Sequence, residues 1–241
     1  MEWRDEALVI GVRRHGEASV VLELMTRAHG RHLGLVRGGS GRNLRSVLQP
    51  GNDVDALWRA RLEQQLGVYT IEPLRGRAAA LIDESHALHG VAFLGGLLRL
   101  LPERDPHAQV FEMARLIADV LIARDHAPAL LARFEVALLQ ALGFGLDLSR
   151  CALTGESADL AYVSPRSGRA VSRAAGAPWR DRLLLYPEFL QDAAGAQKPD
   201  AAELAAAFRL TGHFLERDVF APRGVPMPQS RELYLKAVAV A

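Results

Sequence analysis

Ala7-Leu8-Val9-Ile10-Gly11-Val12 and Ser19-Val20-Val21-Leu22-Glu23-Leu24-Met25 are short apolar runs rich in β-branched residues, and Gly16 lies between them. Runs of this length around a glycine-bearing connection predict a hairpin. Arg31 to Val36 is a third run, held between Gly30 and Gly38. Pro50-Gly51-Asn52-Asp53 is a turn signal. Beyond it, Asp53 to Arg61 alternates polar residues with Val54, Ala56, Trp58 and Ala60, the period of a half-buried strand. Leu66 to Pro73 supplies a fifth run with Val68, Tyr69 and Ile71. Five short strands in so short a span predict a small barrel, because closure removes the edges of the sheet.

The same region carries the chain's charge asymmetry. Leu24 to Asn52 contains no Asp or Glu, yet holds Arg27, Arg31, Arg37, Arg42 and Arg45 with His29 and His32. The whole chain is nearly neutral at +1, so the excess is local and predicts a surface that attracts something anionic. Gly38-Gly39-Ser40-Gly41 at its centre suits a loop that follows phosphates. The bland alternative is a solvated loop in a chain that prefers arginine, since only Lys198 and Lys236 are lysines. With Arg13 and Arg14 at the end of the first strand, these five arginines are the candidate contacts to a phosphate backbone. Trp58 and Tyr69 are candidates to stack on bases, with the barrel core as their other reading.

From Ala78 the period becomes helical. Ile82–Leu101, His107–Arg124, Pro128–Leu142 and Asp200–Val219 each repeat apolar residues at three-and-four spacing. Pro128 suits a first turn, and Gly143 and Gly145 suit a helix end. Asp147 to Pro187 is dense in turn chemistry, such as Thr154-Gly155 and Gly176-Ala177-Pro178, and predicts a compact irregular insert. Ala193 to Pro199 predicts an exposed loop. No apolar run reaches the ~18 residues of a membrane span, the N-terminus lacks a signal-peptide pattern, and Cys151 alone forms no intrachain disulfide. These features predict a soluble, cytoplasmic protein. There is no nucleophile elbow and no phosphate-binding Gly-Lys loop. His86 and His89 beside Asp83 and Glu84 lack a further metal ligand at matched spacing. No catalytic residue is expected, and the protein is read as a non-enzyme.

Several motifs stand in a recognisable order: Gly16-Glu17-Ala18-Ser19, Leu24-Met25-Thr26, Gly30-Arg31, Ser46-Val47-Leu48-Gln49-Pro50, Arg133-Phe134-Glu135-Val136-Ala137-Leu138-Leu139, Leu142-Gly143-Phe144-Gly145, Cys151-Ala152-Leu153-Thr154-Gly155 and Ser230-Arg231-Glu232-Leu233. In this order, through nearly the whole chain, they resemble the RecO family of bacterial recombination mediators. The resemblance implies an α+β, multi-domain fold: an N-terminal five-stranded OB-type β-barrel over 1–77, then a helical domain over 78–241 with a zinc-ribbon-like insert at 147–187. It implies a nucleoid-associated DNA repair and recombination protein of the RecF pathway. Such a protein binds single- and double-stranded DNA, anneals complementary strands, and with RecR helps load RecA onto DNA coated by single-strand-binding protein (SSB).

The resemblance also implies a site for the acidic, apolar SSB tail on the helical domain. Arg133 matches the family position for its cation, Phe134 and Leu138 would line its groove, and Arg231 is a further candidate. The other reading pairs Arg133 with a carboxylate such as Glu135. The chain departs from the family at the insert. Many relatives carry four zinc-binding cysteines there, but here Thr154 stands three residues after Cys151 and no cysteine follows. Four ligands are required for structural zinc, so no zinc and no other cofactor is expected. The rival readings are a protein adaptor with a structural barrel that does not bind DNA, and an enzyme using Cys151.

Overall fold

The computed structural model describes residues 1–191 and 198–240; most of the loop expected at 193–199 lies outside the described residues. Two compact units, Met1–Ala123 and Arg124–Ala241, make up the chain. The period changes near residue 78, but compactness draws its line near residue 123, because the helices after the barrel pack with it.

In the N-terminal unit, β1 (Glu2–His15) turns through Gly16, at φ +65°, into β2 (Ser19–Thr26), which pairs onward with β3 (Gly30–Val36). After a single helical turn, α1 (Arg42–Arg45), come β4 (Asp53–Arg59) and β5 (Val68–Arg75). The strand order β1-β2-β3-β5-β4 closes on itself, so the expected barrel is present. β1 is longer than its apolar centre because its early residues pair with β4 and its later residues with β2. Ladder pairing, which needs no apolar side chain, extends the strand past Ala7–Val12. The parallel junction of β3 and β5 rests on Leu35 N–H donating to Gly67 O at 3.0 Å. Gly67 has φ +66°, and a Cβ there would lie 2.2 Å from the Trp58 indole nitrogen. Glycine is the residue that fits such a junction.

The barrel interior is Ala7, Val9, Val20, Leu22, Leu24, Val36, Val54, Ala56, Trp58 and Tyr69, the inward set of period-two strands, together with Leu48 from the loop before β4. At one end lies an aromatic group in which Trp3 stacks on His29 at 4.1 Å and Tyr69 Oη lies 2.9 Å from His32 Nδ1. Burial, with the nearby Arg104 charge, pushes the His32 imidazole down to about 4. The unfolded chain then binds the extra proton first, so stability is lost as pH falls from about 6.5 toward 4. We expect unfolding free energy at pH 5 to be about 1 to 2 kcal/mol below its value at pH 7.5, allowing for screening. Urea melts at both pH values check this, and a His32→Asn chain should be flatter; an equal slope would place the titration elsewhere.

Helices α2 (Ala78–Asp83), α3 (Ser85–Leu98) and α4 (Ala108–Val120) complete the unit. The single helix expected from Ile82 is broken at Glu84, whose backbone is extended. Charged groups tie this layer to the barrel. Arg77 donates to Asp53 at 2.8 Å and Asp119 at 2.5 Å, while Arg115 reaches Asp53 and Glu6 at 3.1 and 2.7 Å.

In the C-terminal unit, α5 (Ala127–Ala141) has its proline in the first turn and ends before Gly143 at φ +84°. The insert holds a small antiparallel sheet, β6 (Leu160–Val163), β7 (Ala170–Ser172) and β8 (Leu184–Leu185), in the order β7-β6-β8. A short α6 (Arg173–Gly176) runs into a 3₁₀ turn before β8. α7 (Ala201–Phe214) starts at a capping box formed by Asp200 and Glu203 and continues as a π turn to Phe220. A last helix, α8 (Gln229–Ala237), has no counterpart in the periodic pattern. Among the described residues no helix is long and apolar enough to cross a membrane.

Candidate nucleic-acid interface

The loop after β3 lies against the first hairpin turn: Ser40 N–H donates to Ala18 O at 3.2 Å, and its hydroxyl donates to the same carbonyl at 2.9 Å. That contact brings Arg37, Arg42 and Arg45 to the end of the barrel where β1 presents Arg13 and Arg14. All five are exposed, and none has an ion-pair or side-chain hydrogen-bond partner among the described residues. Asn52 holds the loop's far end. Its Nδ2 donates to Ser46 O and Val47 O at 2.9 and 3.0 Å, and its Oδ1 accepts from Arg77 and Ala78 N–H at 2.7 and 2.9 Å. Between the loop and the β5–α2 connection opens a cleft of about 770 Å³, with Arg42, Arg45 and Arg75 on its walls.

The other two arginines of the basic window are committed elsewhere. Arg27 pairs with Glu112 at 2.6 Å and lies over the Phe111 ring. Arg31 pairs with Glu23 at 2.8 Å and donates to Leu101 O, with its side chain mostly buried. Both partners lie outside the acid-free window, so counting charge within it overstates its free cations. Trp58 and Tyr69 are 1% and 3% exposed, and Trp58 Nε1 donates to Leu66 O at 3.0 Å. As core residues they offer no ring to a base, which corrects the stacking reading.

In the C-terminal unit the residues expected to grip a peptide tail are mostly interior. Phe134 and Leu138 are fully buried on the face of α5 that packs inward, so neither lines an open groove; this corrects that assignment. Arg231 is buried against Glu135, with Nε–Oε1 at 2.7 Å and Nη2–Oε2 at 3.1 Å. The carboxylate considered for Arg133 therefore belongs to Arg231, from 96 residues away. Arg133 is half-buried, donates to Phe189 O at 2.7 Å and lies over that ring.

Around Cys151, Gly155 N–H closes a tight turn onto Cys151 O at 2.9 Å, and Ser172 N–H donates to its Sγ at 3.3 Å. Burial opposes ionisation of this thiol, but hydrogen bonds from Ser172 and Thr154 outweigh it and bring the group down to about 6. Thr154 cannot serve as the thiolate that tetrahedral zinc needs, and no cluster of three or more His, Cys, Asp or Glu is placed for a metal among the described residues. The donor set does not fit zinc.

The model for the Recombination protein O N-terminal domain matches residues 1–77, and that for its C-terminal domain matches residues 86–225. The DNA repair protein RecO of Methylocella silvestris is 58% identical over 235 residues, 98% of this chain and 95% of its own. Those of Rhizobium etli and Chelativorans are 55% and 56% identical, covering 98% and 99% of this chain and 92% and 96% of theirs. Identity this high along nearly the whole length, over both domain models and the strand order of an OB barrel, means that the chain belongs to the RecO family of DNA repair and recombination proteins.

Proposed function

We propose that the protein is a non-catalytic recombination mediator. It holds single-stranded, and also double-stranded, DNA by the backbone at the arginine end of the barrel. The carrying observation is that Arg42 and Arg45 wall one cleft and Arg14 and Arg45 the cavity beside it, with Arg13 and Arg37 exposed at the neighbouring strand ends and all five without ion pairs among the described residues. Guanidinium groups engage phosphate oxygens through paired donors, and neutralising phosphates on two strands lowers the repulsion that opposes annealing. No nucleotide hydrolysis is involved, and no zinc ion supports the ribbon. The family supports SSB and RecR as partners, RecA as the indirect beneficiary, and action in the cytoplasm on the nucleoid. Of the residues expected to receive the SSB tail, Arg133 alone is left with appreciable exposure.

Five phosphate contacts give a log-log salt slope of about −3.5 for single strands, or about a hundredfold loss of affinity between 50 and 200 mM salt. Fluorescence anisotropy with labelled oligo-dT measures this. Changing Arg37, Arg42 and Arg45 together to Glu should flatten the slope by about 2. An unchanged slope, or no binding by the parent chain at low salt, would sink the mediator reading and favour the adaptor.

A further inference from the structure

The basic cleft does not stand alone in the N-terminal unit. It shares Ser40, Arg45 and Gln49 with a second cavity of about 370 Å³ that also takes in Val12 and Arg14. Val12 and Gln49 lead on to a third, of about 430 Å³, and Ala78 and Ile82 link that one back to the first. The result is one branched trench around Gln49. Its far end is aliphatic, walled by Ile10, Pro50, Leu81, Ile82, Leu88 and Val91. Val12, Ile82 and Leu88 there are 38%, 56% and 43% exposed. Single exposed apolar side chains are ordinary, but several gathered in one concavity mark a binding surface.

We infer that this trench takes a peptide segment in which carboxylates adjoin apolar side chains, and that peptide and DNA exclude one another there. Charge complementarity sets the direction. Arg99, at the aliphatic end, is already held by Glu23 and by Ile10 O, each at 2.8 Å. Arg14, Arg42 and Arg45 have no such partner among the described residues. The carboxylates of the segment therefore belong at the Arg42–Arg45 end and its apolar side chains against Leu88 and Ile82. Among the described residues no aromatic ring lines the aliphatic end, so it offers no stacking face to a base, whereas branched walls suit leucine-like side chains. Arg14, Arg42 and Arg45 are also phosphate contacts in the proposed function. Exclusion rests on that reading; peptide binding itself does not. A partner presenting such a segment would release the single strand from this end of the barrel.

The test uses the full chain, a fluorescein-labelled hexapeptide of three aspartates followed by three leucines, and labelled oligo-dT. We expect saturable peptide binding, weakened about tenfold, or 1.4 kcal/mol, both by Arg45→Glu and by Leu88→Gln with Ile82→Gln. Oligo-dT affinity should fall with Arg45→Glu alone, and unlabelled oligo-dT should displace the peptide. Because Leu88 and Ile82 are exposed, thermal melts should show the glutamine variant folded. No peptide binding, or binding indifferent to the glutamine pair, overturns the site. A parallel loss of oligo-dT affinity in that variant assigns the aliphatic end to DNA instead. Peptide binding without displacement overturns the exclusion, and peptide binding by a chain that ignores oligo-dT would leave this site standing while the DNA reading falls.

Discussion

Replacing Arg231 with Met is expected to destabilise the C-terminal unit by about 3 to 5 kcal/mol, the cost of leaving a buried charge without its partner. Glu135 is fully buried, and Arg231 supplies two of its hydrogen bonds. Thr211 Oγ1 donates the other, to Oε2 at 2.5 Å. Without the guanidinium, one hydroxyl remains to hold a carboxylate in an apolar surround. The same change removes the bond that Phe208 O accepts from Arg231 at 2.7 Å. A shift in melting temperature on the order of 10 °C follows for a unit of this size. Glu135→Leu combined with Arg231→Met should recover most of the loss, since removing both charges also removes the desolvation cost. Urea unfolding of the wild type, both single variants and the double closes the cycle; costs that simply add would show that the two residues are not coupled. Any loss of partner binding in Arg231→Met is therefore to be read first as a loss of fold.

Asn52→Ala is expected to cost the N-terminal unit about 3 kcal/mol, because four hydrogen bonds, two buried and two part-buried, share one side chain and each is worth roughly 1 kcal/mol. Its consequence reaches the DNA surface. Asn52 Nδ2 holds the carbonyls of Ser46 and Val47, the residues that follow Arg45, while Oδ1 holds the start of α2. Freed at that end, the arginine loop must be ordered when it meets a phosphate backbone. Oligo-dT affinity should fall several-fold with the salt slope intact, since no cation is removed. Asn52→Asp separates the two roles. It keeps the acceptor toward Arg77 and Ala78 but sets an oxygen against the two carbonyls. If it matched wild type in both stability and affinity, the amide would not be what holds the loop.

What repeats locally is readable along the chain. Side chains that alternate along a strand, or return every three or four residues on a helix, carry their pattern within one element. The five strands, the hairpin at Gly16, the proline-led start of α5 and the Asp200 start of α7 were therefore legible. So was the acid-free arginine window. The boundaries moved where pairing or a break needs no apolar signal, as at both ends of β1 and at Glu84. The short strands of the insert and α8 escaped because neither has a long enough apolar period. Which charges are spent depends on long-range packing. Arg27 and Arg31 look like Arg37 and Arg42 in the chain, yet Glu112 and Glu23 claim the first two. Glu135 looks like a neighbour of Arg133, yet Arg231 takes it across 96 residues. Asn52 reads as a turn residue, yet it ties the arginine loop to the start of α2. A charge or amide is free or committed according to what burial places beside it, and that neighbour is set by long-range packing rather than by spacing along the chain.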